Sequence, residues 1–170
     1  MQNKISATIY TEGLEPICNI LIKLAHPTIF QEINLLPISA VLPQKNTDSN
    51  ADEKTVLQII EELFINNNLN FNYKKFTKSS FAYNIFENLA NIKYGETITY
   101  KELAISAGNP KAARAVGNAL RHNPLPLVFP CHRVIGVNGL GGYSGNHNDY
   151  IEIKRRLLNI EKVRQRIVIR

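Results

Sequence analysis

The 170-residue chain reads as an α/β (α+β) protein, with a small N-terminal α/β domain followed by a mostly helical C-terminal domain carrying a helix-turn-helix. Three observations support this. Two strand-like apolar runs open the chain and helical periodicity follows them. An Asn-rich stretch, Asn66 to Asn72, interrupts the pattern and suggests a boundary between residues 1–76 and 77–170. The charge also changes sign there: residues 1–76 hold six Lys and no Arg against eight Asp and Glu, a net −2, whereas residues 77–170 hold six Lys and eight Arg against six Asp and Glu, a net +8. With 44% hydrophobic residues the chain can bury a core. No stretch approaches the roughly 20 apolar residues that span a bilayer. Met1 to Tyr10 lacks the basic cluster and apolar block of a signal peptide, so a soluble cytosolic protein is expected.

In order along the chain, Ile5–Tyr10 and Ile17–Leu24 are the two strand-like runs, and a polar linker lies near Gln44 to Asn50. Val56, Leu57, Ile59, Ile60, Leu63 and Phe64 recur at helical spacing within Glu53–Asn66, with Asp52 placed to cap the first turn. Phe81, Ile85, Phe86, Leu89 and Ile92 form a second helical stripe behind Ser80 as the expected cap, and Gly95 sits at a turn. Thr99 and Glu102 have the spacing of a capping box for a helix reaching about Ala107, which Gly108 ends. Asn109 and Pro110 then predict a cap and first position for a helix over Lys111–His122, terminated by Asn123 and Pro124. Two short helices on a Gly-containing turn make a helix-turn-helix candidate.

The second of these helices carries small residues, Ala112, Ala113, Ala115, Gly117 and Ala119, beside the long cations Arg114 and Arg121. Such a face suits close packing, either inside the protein or against another surface. Against DNA it offers few side chains that could read base edges, which predicts binding largely indifferent to sequence. The apolar, Pro-bounded run Leu125–Pro130 predicts a short strand or extended segment leading to Cys131. The five glycines of 136–145 predict a loop. A last helix reaches about Glu161, with Asp149 and Glu152 at its start, Tyr150, Ile153, Leu157 and Ile160 on its apolar face, and Lys154, Arg155 and Arg156 outward.

The basic C-terminal part favours a polyanionic partner, nucleic acid being the commonest, with a merely solvated basic face as the alternative. Two cysteines in a cytosolic chain are weak evidence for a disulfide. A thiol becomes a strong nucleophile only as the thiolate, which needs a base, a cation or favourable dipoles nearby. His132 and Arg133 follow Cys131 directly, and in an extended segment neighbours point to opposite sides, so His132 would act through a water or a bend, with a third group orienting the ring. On the dipeptide alone, a small buried structural thiol is the better reading.

The flanking residues add context. Tyr94-Gly95-Glu96-Thr97, Gly108 through Gly117, Asn123-Pro124, Pro130-Cys131-His132-Arg133-Val134 and Gly141-Gly142-Tyr143-Ser144-Gly145 closely resemble the O6-alkylguanine-DNA alkyltransferases, also called methylated-DNA–protein-cysteine methyltransferases. The resemblance runs from about Ser79 to Glu161, and residues 1–76 match only in size and position. It implies transfer of the alkyl group from O6-alkylguanine in DNA, with O4-alkylthymine a second candidate, to Cys131, irreversibly and once per molecule, without a cofactor. It further implies a monomer that binds double-stranded DNA through the minor groove and flips the damaged base out of the stack. By the same resemblance, His132 takes the thiol proton through a water, Glu161 orients His132, Asn123 organises the turn, and Tyr100 helps rotate the nucleotide and protonates the departing guanine. Arg114 fills the gap left by the flipped base. DNA contacts are expected from Tyr100, Lys101, Asn109, Ala113, Arg114 and Arg121, and pocket walls from Pro126, Tyr143 and Ser144.

Two departures from the family pattern stand out. Asn146-His147-Asn148-Asp149 adds about four residues after Tyr143-Ser144-Gly145, where the loop borders the alkyl pocket, and is expected to alter which alkyl groups are accepted. Arg156 stands where a tryptophan is common. A structural zinc, held by some relatives, is not expected, because only Cys18 and His26 lie in the corresponding region. The rival functions are a Cys-His hydrolase, which would need turnover and an oxyanion hole, and a non-catalytic protein that only binds alkyl lesions.

Overall fold

The computed structural model describes residues 3–11, 15–26, 29–40, 53–66, 77, 79–143 and 148–169. Strands β1 (Asn3–Thr11), β2 (Pro16–His26) and β3 (Ile29–Leu36) form an antiparallel meander, which β6 (Ile167–Ile169) completes in the order β3-β2-β1-β6. Alternation explains the sheet: Ile5, Ala7 and Ile9 pair with Ile22, Ile20 and Cys18, and Ile20 and Ile22 pair onward with Leu35 and Ile33, all of them buried. Both predicted strands are present and longer than expected. The third was not predicted, although Ile33 and Leu35 alternate with Glu32 and Asn34. The backbone of β3 also reaches the site, because Ile33 N donates to Pro124 O at 2.8 Å.

Helix α1 (Glu53–Asn66) has its predicted bounds and buries Val56, Leu57, Ile60, Leu63 and Phe64. The expected Asp52 cap, the linker at 44–50 and the boundary stretch 67–72 lie outside the described residues. In α2 (Ser80–Ala90) the cap is Ser79, one residue earlier than expected, since its hydroxyl accepts from Ala82 N. The capping box of α3 (Tyr100–Ser106) is present as predicted: Thr99 Oγ1 accepts from Glu102 N at 3.1 Å, and Glu102 Oε2 from Thr99 N at 2.6 Å. The two-residue strand β4 (Ile98–Thr99) enters α3 while pairing in parallel with β5 (Val134–Ile135).

Three sequence expectations are corrected. Helix α4 is Ala113–Arg121, not Lys111–His122. Asn109 and Pro110 build a turn instead of a cap, with Ala112 N donating to Asn109 O and the Asn109 amide donating to Ala107 O. The run Leu125–Pro130 is not a strand but a compact turn, in which Phe129 N donates to Leu125 O at 2.8 Å and Leu127 has φ +76°. Prolines at 124, 126 and 130 withhold the N–H groups a strand ladder needs, so the chain folds on itself and continues as a 3₁₀ turn over Cys131–Arg133. In α5 (Asn148–Lys162), Lys154 is fully buried rather than outward. It lies one turn beyond Tyr150 and beside Ile153 and Leu157, so helical spacing puts it on the apolar stripe.

Candidate active site

The Cys131–Arg133 turn places three consecutive side chains in the protein interior, each buried. Asn123 shapes the approach: its amide donates to Phe129 O at 2.8 Å and to Cys131 Sγ at 3.0 Å, while its side-chain oxygen accepts from Leu125 N at 3.0 Å. One side chain thus closes the turn and contacts the sulfur.

Behind the sulfur lies a buried ionic cluster. His132 Nε2 meets Glu161 Oε1 at 2.7 Å. Arg133 Nε donates to both oxygens of Glu161 at 3.0 Å, and Gly95 N donates to Glu161 Oε2 at 2.9 Å. Burial works against the Glu161 carboxylate, but the hydrogen bonds from His132 and Arg133 outweigh it and hold the group below its ordinary value. An ionised Glu161 makes His132 Nε2 the donor, so Nδ1 carries the lone pair. That Nδ1 is buried and has no hydrogen-bond partner among the described residues. Burial also lowers His132, against the pull of Glu161, so the ring is neutral and basic at its free nitrogen. Gly95 is required by geometry, since its φ is +79° and a Cβ there would lie 3.3 Å from Glu161 O.

Burial raises the Cys131 thiol, opposed by the Asn123 hydrogen bond, the Lys154 charge and the Tyr143 hydroxyl. The resting group is therefore a thiol with three neighbours ready to receive a thiolate. Tyr143 is buried beside Cys131, and its hydroxyl is the third of these neighbours. Cys18 lies on the buried face of the sheet, where burial pushes it up to about 12, and is an inert structural thiol.

The sulfur opens onto a cavity of about 480 Å³ whose far wall is α4. Ala113 and Gly117 face the cavity with Arg114, Asn118, Leu120 and Arg121, while Val116 is fully buried on the protein side. The small residues therefore leave room at an opening as well as permitting internal packing. Tyr100 lines the same cavity; a Cβ on Gly117 would lie 3.8 Å from its ring, and one on Gly141 only 2.8 Å away. Burial, and then the Cys131 charge, raise the Tyr100 phenol, which stays protonated and donates to Gly142 O at 3.0 Å. Lys101 and Asn109 are exposed and do not line the cavity. Pro126 borders a separate space of about 220 Å³ with Asn123, Arg121 and Tyr143. Ser144 and residues 146–147 lie outside the described residues, and Asn148 and Asp149 begin α5.

Two residues were not singled out from sequence. Lys154 Nζ donates to Val134 O and Leu140 O at 2.6 Å and to Gly142 O at 3.2 Å, pinning the loop that carries the Tyr100 acceptor; burial lowers it to about 8. Arg133 donates to Ile92 O at 2.7 Å and Phe64 O at 2.8 Å while holding Glu161. The available signals were the place of Lys154 on the apolar stripe and an arginine inside an apolar run. Arg156, at the position of a common tryptophan, ties α5 to the start of β2 by donating to Pro16 O at 2.7 Å. Among the described residues, no group of three His, Cys, Asp or Glu side chains forms a metal site. No described helix is long and apolar enough to cross a membrane.

This arrangement can be compared with known proteins. The family described as 6-O-methylguanine DNA methyltransferase, DNA binding domain, matches residues 80–163. The constitutive methylated-DNA–protein-cysteine methyltransferase of Bacillus subtilis is 41% identical over 121 residues, covering 70% of each chain. The methylated-DNA–protein-cysteine methyltransferase of Cricetulus griseus is 53% identical over 72 residues, 41% of this chain and 34% of that protein, so the match spans about a third of that relative. A crystal structure of Mycobacterium tuberculosis OGT in complex with DNA superposes with a TM-score of 0.63 at 31% identity, over 86% of this chain and 88% of the other. With a buried cysteine on the family's motif, a His-Glu pair behind it and a fold shared over most of its length, the chain belongs to the methylated-DNA–protein-cysteine methyltransferase family.

Proposed function

We infer that this protein repairs DNA by moving the alkyl group from O6 of an alkylated guanine onto Cys131 Sγ. The observation that carries this reading is the Cys131 sulfur at the foot of a cavity walled by the small face of α4, with a neutral, Glu161-oriented imidazole as the adjacent residue. The alkyl carbon of such a base is hidden inside a duplex, so the nucleotide must leave the stack, at a cost of a few kcal/mol. A helix presenting Ala113 and Gly117 can lie against the minor groove, and Arg114, exposed and lining the cavity, would occupy the vacated position. Lys101, Asn109 and Arg121 supply further polar or cationic contacts to the DNA.

In the transfer, the thiol proton passes to His132 Nδ1 through a water as sulfur attacks the alkyl carbon. The carbon–oxygen bond breaks, and Tyr100 gives its proton to the departing guanine. Glu161 stabilises the imidazolium, and Lys154 and Asn123 stabilise negative charge on the sulfur in passing. The product is a thioether, a bond that nothing in the site can hydrolyse, so each molecule reacts once. The protein would act as a monomer, and residues 77–170 would carry both DNA binding and chemistry. Pro126, Tyr143 and Ser144 would border the alkyl group, and residues 146–149 would tune its permitted size.

Intact-mass measurement after mixing with DNA containing O6-methylguanine is expected to show a gain of about one methyl group per chain, as single-site capture requires. Cys131→Ala should gain none and still bind that DNA. An unchanged wild-type mass with binding retained would leave only the lesion-binding reading, and continued turnover would indicate a hydrolase. Deleting 146–149 should change the ratio of rates on methyl and benzyl adducts, and an equal ratio before and after would count against that role.

A further inference from the structure

The relay at Cys131 leans on a residue from outside residues 80–163, the stretch that matches the family's DNA-binding domain. Phe64, on the last turn of α1, is fully buried. Its ring stacks on the His132 imidazole with centroids 5.7 Å apart and planes 20° from parallel, and meets the Tyr94 ring edge-on at 5.4 Å. Its carbonyl is also an acceptor for Arg133 Nη2, at 2.8 Å, and Arg133 Nε grips both oxygens of Glu161. A single residue of the N-terminal helix therefore touches both halves of the His132–Glu161 pair, one through its ring and the other through an arginine.

We propose that Phe64 is a positioning residue for the alkyl-transfer relay: its ring covers one face of His132 and excludes water from it, and its carbonyl fixes the arginine that holds Glu161. This rests on the functional reading given above. The charged and titratable groups around His132 are Glu161 and Lys154 from α5, Arg133 and Cys131 from its own turn, and Tyr94 beyond Arg133. Of these, Glu161 favours the imidazolium, and Arg133 and Lys154 oppose it. Burial is the largest influence keeping the ring neutral, and α1 supplies an apolar part of that cover. Truncating Phe64 would leave a space beside polar atoms, which water can fill. The hydrated ring would then hold its proton at higher pH and be a poorer base in mild acid.

The test follows single-turnover methyl transfer by mass from about pH 5.5 to about pH 8 in wild type, Phe64→Ala, Phe64→Val and Phe64→Leu. Phe64→Ala should lose about tenfold in rate at the acid end and recover toward the alkaline end, a rise of roughly one pH unit in the midpoint. Phe64→Leu, which restores an apolar cover, should follow the wild-type profile. Phe64→Val should shift in the same direction as Ala by less, and serves if Ala does not fold. A loss of rate that is equal at every pH, or a Leu profile shifted as far as that of the smaller side chains, overturns the proposal. The His132 ring is also titrated by NMR in wild type and Phe64→Val, independently of transfer. It should stay neutral below its ordinary 6.5 in wild type and take up its proton at higher pH in the variant; coincident titrations overturn the proposal. If the wild type gains no methyl group the functional reading fails, and the ring titration still decides the role of Phe64.

Discussion

Glu161 receives donors from His132, Arg133 and the Gly95 backbone, so both of its oxygens are occupied. Glu161→Gln keeps the shape but removes the charge, and its amide N–H would face existing donors. Transfer should fall by about 10²- to 10³-fold, because an unoriented base loses most of its general-base contribution. Arg133 would be left buried without a counterion, at a cost of about 3–5 kcal/mol. Single-turnover rates and urea unfolding measure the two effects separately. Lys154 gives a prediction on the alkaline side. As pH rises through about 8 its ammonium loses a proton, and with it a hydrogen bond to the 134–142 loop and the charge that favours a thiolate. The wild-type rate should therefore decline above that pH, and Lys154→Met should be slow throughout and show no such decline.

At the level of elements, short helices around the site depend on their ends. Thr99 and Glu102 satisfy two backbone donors where β4 becomes α3, the helix that begins with Tyr100. Thr99→Ala should cost about 1 kcal/mol in urea unfolding. The end of α5 is built differently. Gln165 N donates to Ile160 O and Arg164 N to Glu161 O, with Arg164 at φ +56°, a conformation that favours glycine. Arg164→Gly should stabilise by about 0.5 kcal/mol or more, the relief of a left-handed side chain exceeding the added unfolded-chain freedom. A lower urea midpoint would show that the arginine side chain makes a compensating interaction.

Across the whole molecule, the tail and the first strand are joined, since Ile9, Tyr10 and Thr11 pair with Ile169, Val168 and Ile167. Ile169 N also donates to Glu61 Oε1 at 2.6 Å. The C-terminal strand thus closes the N-terminal sheet, while Arg133 bonds to the last turn of α1 and to Ile92 just past α2, so support for the site comes from both ends of the chain. Acid stability follows from the same cluster. His132 and Glu161 are both held below their ordinary values of 6.5 and 4.5. The unfolded chain therefore binds protons that the folded one refuses, and the contribution of each is complete above those values. Stability should fall as pH drops below 6.5, and again below 4.5 as Glu161 approaches its folded value; urea midpoints across that range check it. In Glu161→Gln the lower step should disappear.

The sequence alone determined the features governed by local periodicity and chemistry. Helix α1 has its predicted bounds because apolar spacing is decided within a few turns, and the capping box at Thr99 is likewise a contact between residues three apart. The motif around Cys131 was legible for the same reason, as a contiguous run. Tertiary structure decided how that run is folded and what surrounds it. Prolines forbade the expected strand, but only packing selected the 3₁₀ turn that buries Cys131, His132 and Arg133 together. Residue type alone points Lys154 outward, whereas helical phase puts it on the apolar stripe. It is buried because three carbonyls from a distant loop satisfy its charge. In the sequence Phe64 is one apolar position on a stripe, and its place over His132 depends on α1 meeting the Cys131 turn, a contact between residues 68 positions apart that sequence periodicity does not encode.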